Sequence, residues 1–516
     1  VNESSELVGH LSRGGTALWR GVHEQTIAMA AFGGSPYLDM QPQVTYVRPD
    51  GTHVTVDAFY DGSGVYKSRA YCDQLGVWRW RFGSGAGGRD ERSGSFRVVP
   101  SSLPGKLRVH PEDPYQFVYD DGTWFLHIGD TGYRYVVAAE PEWRAYIDQA
   151  AQMGATKVRT WFCEGRSDVQ VLFAEERTAL NLAYWQEIDR RITYALDHHP
   201  QVILKLIPYG EDTDEIRRYA AGDPASLLIA RYAQARFSAF PNVYWCISND
   251  REIVEDSTQS LSGRQVYADT IRQMGMDMAV REPWGTLLTN HQCRWSGYAF
   301  VDDPWSDVIT IEDLDQVDGA VIQAYRRLGR APVVNDEDRY ELYRAPAYPR
   351  YFFRRLMWGS LFSGGHATYG GLRTYEPYDG KQQGVQGYYD AVAAGTLQGG
   401  AHDFCHIHRF FVDSGLALVG MTPDDALVGS EPRRWKCIRD RHSCLVYLAN
   451  PTGDDPGTDD AAASAPSVSV PLPEGACAAR WFGPSTGRWY EAEALVGGMQ
   501  TLTAPGAGDW VLWLQT

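Results

Sequence analysis

An α/β core between two all-β segments is what this sequence predicts, on three observations. From about 108 to 400, short apolar runs alternate with stretches of helical periodicity. On either side of that region, short runs of period two are separated by turn residues. The 516 residues suffice for two to four domains of ordinary size.

The first segment, residues 1–105, reads as a β-sandwich. Gln43 to Val47 alternates, Pro49-Asp50-Gly51-Thr52 turns the chain, and His53 to Val56 returns, which is a hairpin signal. Val77 to Phe82 alternates again, Gly83 to Gly88 is a Gly/Ser loop, and Ser95 to Val99 is a last strand stopped by Pro100.

Residues 106–402 carry eight strand candidates: Trp124–Ile128, Lys157–Trp161, Val202–Ile207, Val243–Ile247, Thr286–Thr289, Val308–Ile311, Ala331–Val334 and Ala367–Tyr369. The sixth has the weakest pattern. Pro141 and Glu142 open an amphipathic helix after the first. Short apolar runs separated by helices are buried parallel strands, and eight of them make a (β/α)8 TIM barrel. A doubly wound open sheet shares the local pattern, but no Gly-rich nucleotide fingerprint follows the first strand. Residues 403–516 return to β, with Cys444–Leu448, Ser467–Val470, Arg480–Phe482 and Trp510–Leu514 as strands of a second sandwich. Asp454 to Pro466 forms an acidic, Ala/Ser-rich loop between them.

Composition excludes more than it selects. A formal net charge of −17 argues against a nucleic-acid partner and suits a neutral one. No run reaches the length of a membrane span, and no leader is visible. A start at Val1 fits a processed or trimmed chain, cytoplasmic or secreted. None of the 8 cysteines forms a Cys-x-x-Cys pair, so no structural zinc is expected, nor any other metal or cofactor. Cys437 and Cys444 are spaced to meet across a hairpin. The 17 Trp and 30 Tyr offer flat apolar faces suited to sugar rings, though large cores use the same residues.

Chemistry is expected at the C-terminal ends of the barrel strands. Strand one ends in Asp130, strand two carries Arg159 and is followed by Glu164, and strand four ends in Ser248-Asn249-Asp250. Strand five ends in Asn290-His291, and strand seven in Asn335-Asp336-Glu337-Asp338. Glycoside hydrolysis needs two carboxyls flanking one bond, one holding a proton for the leaving oxygen and one attacking or activating water. Strands four and seven face each other across an eight-stranded mouth, which makes Asp250 and Glu337 the candidate catalytic pair. The plainer alternative is a helix cap at Asp250 and a loop charge at Glu337.

Three stretches carry a family resemblance. Phe125 to Tyr133 (F-L-H-I-G-D-T-G-Y), Phe240 to Trp245 running into Asn249-Asp250, and Pro332 to Glu341 resemble the opening, acid/base and nucleophile strands of apiosidase-like (β/α)8 glycosidases. Phe59 to Arg69 with Gly76-Val77-Trp78 resembles the Ig-like domain that precedes such barrels. Trp481 to Gly487 resembles a collagen-binding-type β domain that follows them. The resemblance implies a retaining enzyme working by double displacement, with a furanoside terminus, apiose- or arabinofuranose-like, as the expected substrate and a pyranoside still open; the density of polar groups at the strand ends suggests exo action. Asp250 would be its acid/base and Glu337 its nucleophile. It places Arg159 as the cation beside the nucleophile and Asn249 on a sugar hydroxyl. Asp130, His291 and Tyr340 are further substrate-binding candidates, with Trp161 and Tyr369 as stacking walls. Most of the wider clan carries Asn-Glu where this chain has Asn249-Asp250, and Glu252 is the fallback donor. The loop Tyr209 to Asp214 and the stretch Thr374 to Gln386 would wall off a pocket. An inverting glycosidase on the same barrel is the first alternative. An inactive carbohydrate- or protein-binding adhesion protein is the second, and it expects a broken carboxyl pair, whereas both carboxyls are present.

Overall fold

In the computed structural model, the described residues are 9–29, 33–83, 92–140, 142–163, 169–175, 177–314, 317–340, 350–370, 400–429, 435–451 and 464–515. Glu164, Pro141, Glu341, Thr374 to Gln386 and most of the loops 84–88 and 454–466 lie outside them.

The barrel strands are β1 (Gly129–Thr131), β2 (Lys157–Trp161), β3 (Ile203–Ile207), β4 (Val243–Cys246), β5 (Leu288–Thr289), β6 (Ile309–Glu312), β7 (Val333–Glu337) and β8 (His366–Tyr369). They pair in parallel in the order β5-β4-β3-β2-β1-β8-β7-β6, one seam short of a closed barrel. The seam between β5 and β6 is bridged instead by Asp307 N to Leu288 O at 2.9 Å and by Thr289 Oγ1 to Val308 O at 2.6 Å. Helices lie between most successive strands, beginning with α1 (Glu142–Gln152) and α2 (Leu182–His198), whereas β5 is followed only by the single turn Arg294–Ser296 before β6. Trp143, Tyr146, Ile147 and Ala150 give α1 its buried stripe.

One strand lies away from its expected place. Trp124 and Phe125 belong to a separate three-stranded antiparallel sheet with Leu107–Val109 and Phe117–Tyr119. The apolar run continues to Ile128, so hydropathy alone does not mark where this sheet ends and β1 begins. The small sheet is a floor for the barrel. Leu107, Phe117, Tyr119 and Phe125 pack with Ile203, Tyr244, Leu287, Val308 and Val334 at the N-terminal ends of the strands. β1 then starts at Gly129, where a Cβ would lie 2.3 Å from Thr368 Oγ1 of β8. Only glycine allows that approach.

The N-terminal segment forms a four-stranded and a five-stranded sheet. The described C-terminal strands form one six-stranded antiparallel sheet. Its two long strands, Ser467–Gly483 and Arg488–Thr503, pair over most of their length. One side of the sheet, through Ile438, Tyr447 and Phe482, packs on helices Arg350–Phe362 and Phe404–Ser414. The thiols of Cys437 and Cys444 lie 3.5 Å apart on its adjacent strands. Among the described residues no helix is long and apolar enough to cross a membrane.

Candidate active site

β7 carries two neighbouring carboxylates into the same interior, which simple strand alternation forbids. The register explains it. Ile311 pairs with Asn335 and Glu312 with Glu337, so β7 holds one residue more than β6 over that step. A bulge of this kind re-aims side chains. Asp336 turns into the barrel between the ammonium groups of Lys157 and Lys205, the latter at 2.6 Å. Burial opposes ionisation there, but the two lysines outweigh it and hold the Asp336 carboxyl well below the usual range.

Glu337, at the rim, holds one ion pair and accepts two hydrogen bonds. Arg159 Nη2 lies 2.9 Å from Oε2, the Tyr133 hydroxyl donates to Oε2 at 2.9 Å, and the Tyr340 hydroxyl donates to Oε1 at 2.7 Å. Arg159 is fully buried and also donates to Thr131 Oγ1 at 3.1 Å and to the Tyr340 hydroxyl at 2.8 Å. Tyr340, expected on the sugar, therefore holds the Glu337 carboxylate.

Asp250 sits in a sharp turn after β4, with φ +50°. Asp tolerates this left-handed conformation better than most residues. No helix follows. The chain enters a short strand, Glu252–Val254, paired with Gln265–Tyr267, so Asp250 is not a helix cap. Asn249 N donates to Gly210 O at 2.9 Å, and Asp250 N donates to His291 Nδ1 at 3.3 Å. His291 Nε2 lies 3.4 Å from Arg159 Nη1 and 3.7 Å from Glu337 Oε2. Burial, then Arg159 and Lys205, hold the His291 ring well below its usual pKa, so it is neutral. His291 thus stands between the Asp250 turn and Arg159, the cation paired with Glu337. Burial, and after it the charge of Glu337, raises the Asp250 carboxyl above its ordinary value, against an ion pair with Arg264.

Other expected ligands are engaged by the protein. Asp130 accepts from Tyr146 of α1 at 2.8 Å and from the Thr131 amide at 2.8 Å. It braces β1 against the first helix, and burial lifts its carboxyl to about 6. Asn290 accepts from Ser248 Oγ at 2.8 Å and ties β5 to β4. Trp161 is fully buried with Tyr133 stacked on it at 4.0 Å, and Tyr369 packs edge-on against Phe353 and Phe404. Neither gives a ring face to the mouth. Asn249 is buried beside the Tyr133 hydroxyl at 3.3 Å and Glu211 at 3.4 Å. The segment expected as a wall, Tyr209 to Asp214, is instead tucked in, with Asp212 capping the helix Thr213–Ala220.

Glu312, at the end of β6, was not foreseen. Arg294 Nε holds its Oε1 at 2.8 Å. Burial, then the charges of Glu337 and Asp250, push its carboxyl well above the usual range. A carboxylate at a strand end marks β4 and β7 in the sequence, and the weak apolar pattern of β6 hides the same signal at Glu312. Tyr133 stands in the quoted Gly-Asp-Thr-Gly-Tyr stretch and could have been found the same way.

His291, Glu312 and Glu337 bring ligand-type atoms within 4.8 Å of one another, the one such group among the described residues. Arg159 and Arg294 already occupy those carboxyls, so a dication would meet two guanidinium groups at close range. The set suits a proton network better than a metal, and we do not assign these residues as metal ligands. Activity is expected to survive dialysis against EDTA; a large loss restored by a divalent cation would reverse that.

Residues 112–414 match the family model for the apiosidase-like catalytic domain, and residues 19–85 match a domain of unknown function (DUF5060). Among solved structures, a provisionally classified glycoside hydrolase from Bacteroides vulgatus aligns over 97% of this chain and 100% of its own, with a TM-score of 0.75 at 17% identity. A glycoside hydrolase family 5 protein from the same organism aligns over 80% of this chain and 94% of its own, with a TM-score of 0.62 at 15% identity. At these identities the likeness speaks for the fold alone. No curated protein matches the chain.

Proposed function

Because the chain belongs to the apiosidase-like family and is a glycosidase, we propose that it is a retaining, exo-acting one, with Glu337 as nucleophile and Asp250 as general acid/base. The observation that carries this reading is the setting of Glu337. Its carboxylate receives an arginine and two tyrosine hydroxyls, which hold both oxygens in a fixed orientation at the rim, as a nucleophile requires. In the first step a Glu337 oxygen bonds to the anomeric carbon. The bond to the leaving oxygen breaks, and Asp250 gives that oxygen its proton. In the second, Asp250 takes a proton from water, which displaces Glu337 and releases the sugar. Asn249, beside Asp250 in the same turn and held by Tyr133 and Glu211, is the residue assigned to the hydroxyl next to the reacting carbon.

The side chain of Glu337 is only 8% exposed. A nucleophile set that deep suits a pocket around one terminal sugar more than an open cleft. The family description favours a furanoside such as apiose, and arabinofuranose fits the same chemistry. A panel of nitrophenyl glycosides identifies the sugar. Proton NMR of the first products from a matching oligosaccharide then tests the mechanism. Single sugars with the substrate's own anomeric configuration are expected. The opposite anomer would make the enzyme inverting, and a ladder of mid-sized fragments would remove the pocket.

A further inference from the structure

Trp295 is the one exposed tryptophan among the described residues, with 62% of its surface open. A single exposed apolar side chain means little by itself. Its seat gives it meaning. Trp295 lies in the single helical turn Arg294–Ser296 just beyond β5, and that turn is pinned to the loop carrying Asp250. Cys293 N donates to Arg251 O at 3.0 Å, and Ile253 N donates to Ser296 Oγ at 3.0 Å. Arg251 and Gln292 form a parallel bridge beside them. On the far side Tyr298 N donates to the Tyr325 hydroxyl at 2.6 Å.

Two arginines flank the ring and root it in the catalytic centre. The Arg264 guanidinium lies 6.0 Å from the ring centroid and pairs with Asp250. That of Arg294 lies 5.6 Å from the centroid and pairs with Glu312. An aromatic ring carried on a pinned turn, largely open to solvent and one side chain from the proton donor, is placed where the departing group leaves. Both flanking charges are already matched by carboxyls, so the face suits a neutral ligand.

We propose that Trp295 is the platform of a leaving-group subsite, on which the apolar C–H face of a neutral sugar ring stacks while Asp250 protonates the bond that joins it to the terminal sugar. This rests on the reading of Asp250 as the acid. The ring offers the broad apolar face and polar edge that such stacking uses, and a fixed turn loses little freedom on binding.

Isothermal titration of the full chain with xylotriose, mannotriose and cellotriose tests the platform without any turnover. At least one is expected to bind, with affinity falling about tenfold or more in Trp295→Ala and much less in Trp295→Phe. No binding by the native chain, or equal binding by Trp295→Ala, would overturn the proposal. Kinetics give the second arm. On a glycoside with a sugar leaving group, Trp295→Ala should raise KM. On the glycosyl fluoride of the same sugar, whose leaving group cannot stack, it should change kcat/KM by less than about twofold. Equal losses on both would make Trp295 merely structural. Failure to cleave any glycoside would remove the assignment of Asp250 and leave the titration to decide the platform.

Discussion

Glu337→Gln is expected to leave the chain folded and to lower turnover by about 10⁴-fold or more, the scale on which loss of a covalent nucleophile acts. The substitution keeps the shape. With the amide oxygen in the place of Oε2 it still accepts from Arg159 and Tyr133, and only Tyr340 loses its acceptor. A misplaced hydrogen bond costs about 1–3 kcal/mol at most, a few degrees of Tm in a protein of this size. The neighbouring carboxylate provides the control. Asp336→Asn leaves the buried ammoniums of Lys157 and Lys205 without their shared counter-charge. Breaking such a group costs about 3–5 kcal/mol. Asp336→Asn should therefore lower Tm strongly, whereas Glu337→Gln should lower activity at nearly constant Tm. Thermal unfolding beside kcat on a nitrophenyl glycoside separates the two. If Glu337→Gln keeps more than about a tenth of native turnover, the nucleophile lies elsewhere.

The two β7 carboxylates also show where sequence was informative and where it was not. The pattern Pro-Val-Val-Asn-Asp-Glu marks a buried strand with carboxylates at its mouth, and the parallel barrel follows from eight such runs. That Asp336 and Glu337 both turn inward depends on a bulge against β6, and a bulge has no signature in apolar spacing. The displaced start of β1 has a similar cause. Leu126 to Ile128 is apolar whether it serves the floor or the barrel, and only the fit of Gly129 against Thr368 sets the boundary. Side-chain fates were the least legible. Asp130 and Trp161 stand at strand ends as a ligand and a wall should, yet Tyr146 and Tyr133 engage them. Those partners come from residues whose direction depends on packing. Trp295 is illegible for the complementary reason: in sequence nothing separates an exposed tryptophan from a buried one.

Asp250→Asn is expected to divide substrates by their leaving groups. A dinitrophenolate departs without a proton, so the first step on a dinitrophenyl glycoside should lose less than about tenfold. A sugar alkoxide needs the proton, and removing a general acid costs about 10²–10⁴-fold. The second step has no such escape, because water must still be deprotonated. The glycosyl-enzyme should then accumulate, with a burst of dinitrophenol followed by a slow steady rate and a lowered KM. Azide, which attacks without a base, should restore the steady rate. The pH profile gives an independent reading. Burial raises the Asp250 carboxyl, and the negative charge of Glu337 raises it further. A raised value keeps the acid form present to higher pH, so Asp250 sets the alkaline limb of kcat/KM, and that limb should vanish in Asp250→Asn. Once Glu337 is esterified its charge is gone and the second cause with it, so the same carboxyl gives up its proton more easily and serves as base. On the proposed mechanism the pair would supply an acid before bond cleavage and a base after it with no movement of either strand. Equal losses on dinitrophenyl and natural glycosides, or an unchanged alkaline limb, would remove Asp250 as the acid; Glu252, on the short strand that follows, would then be the donor to test.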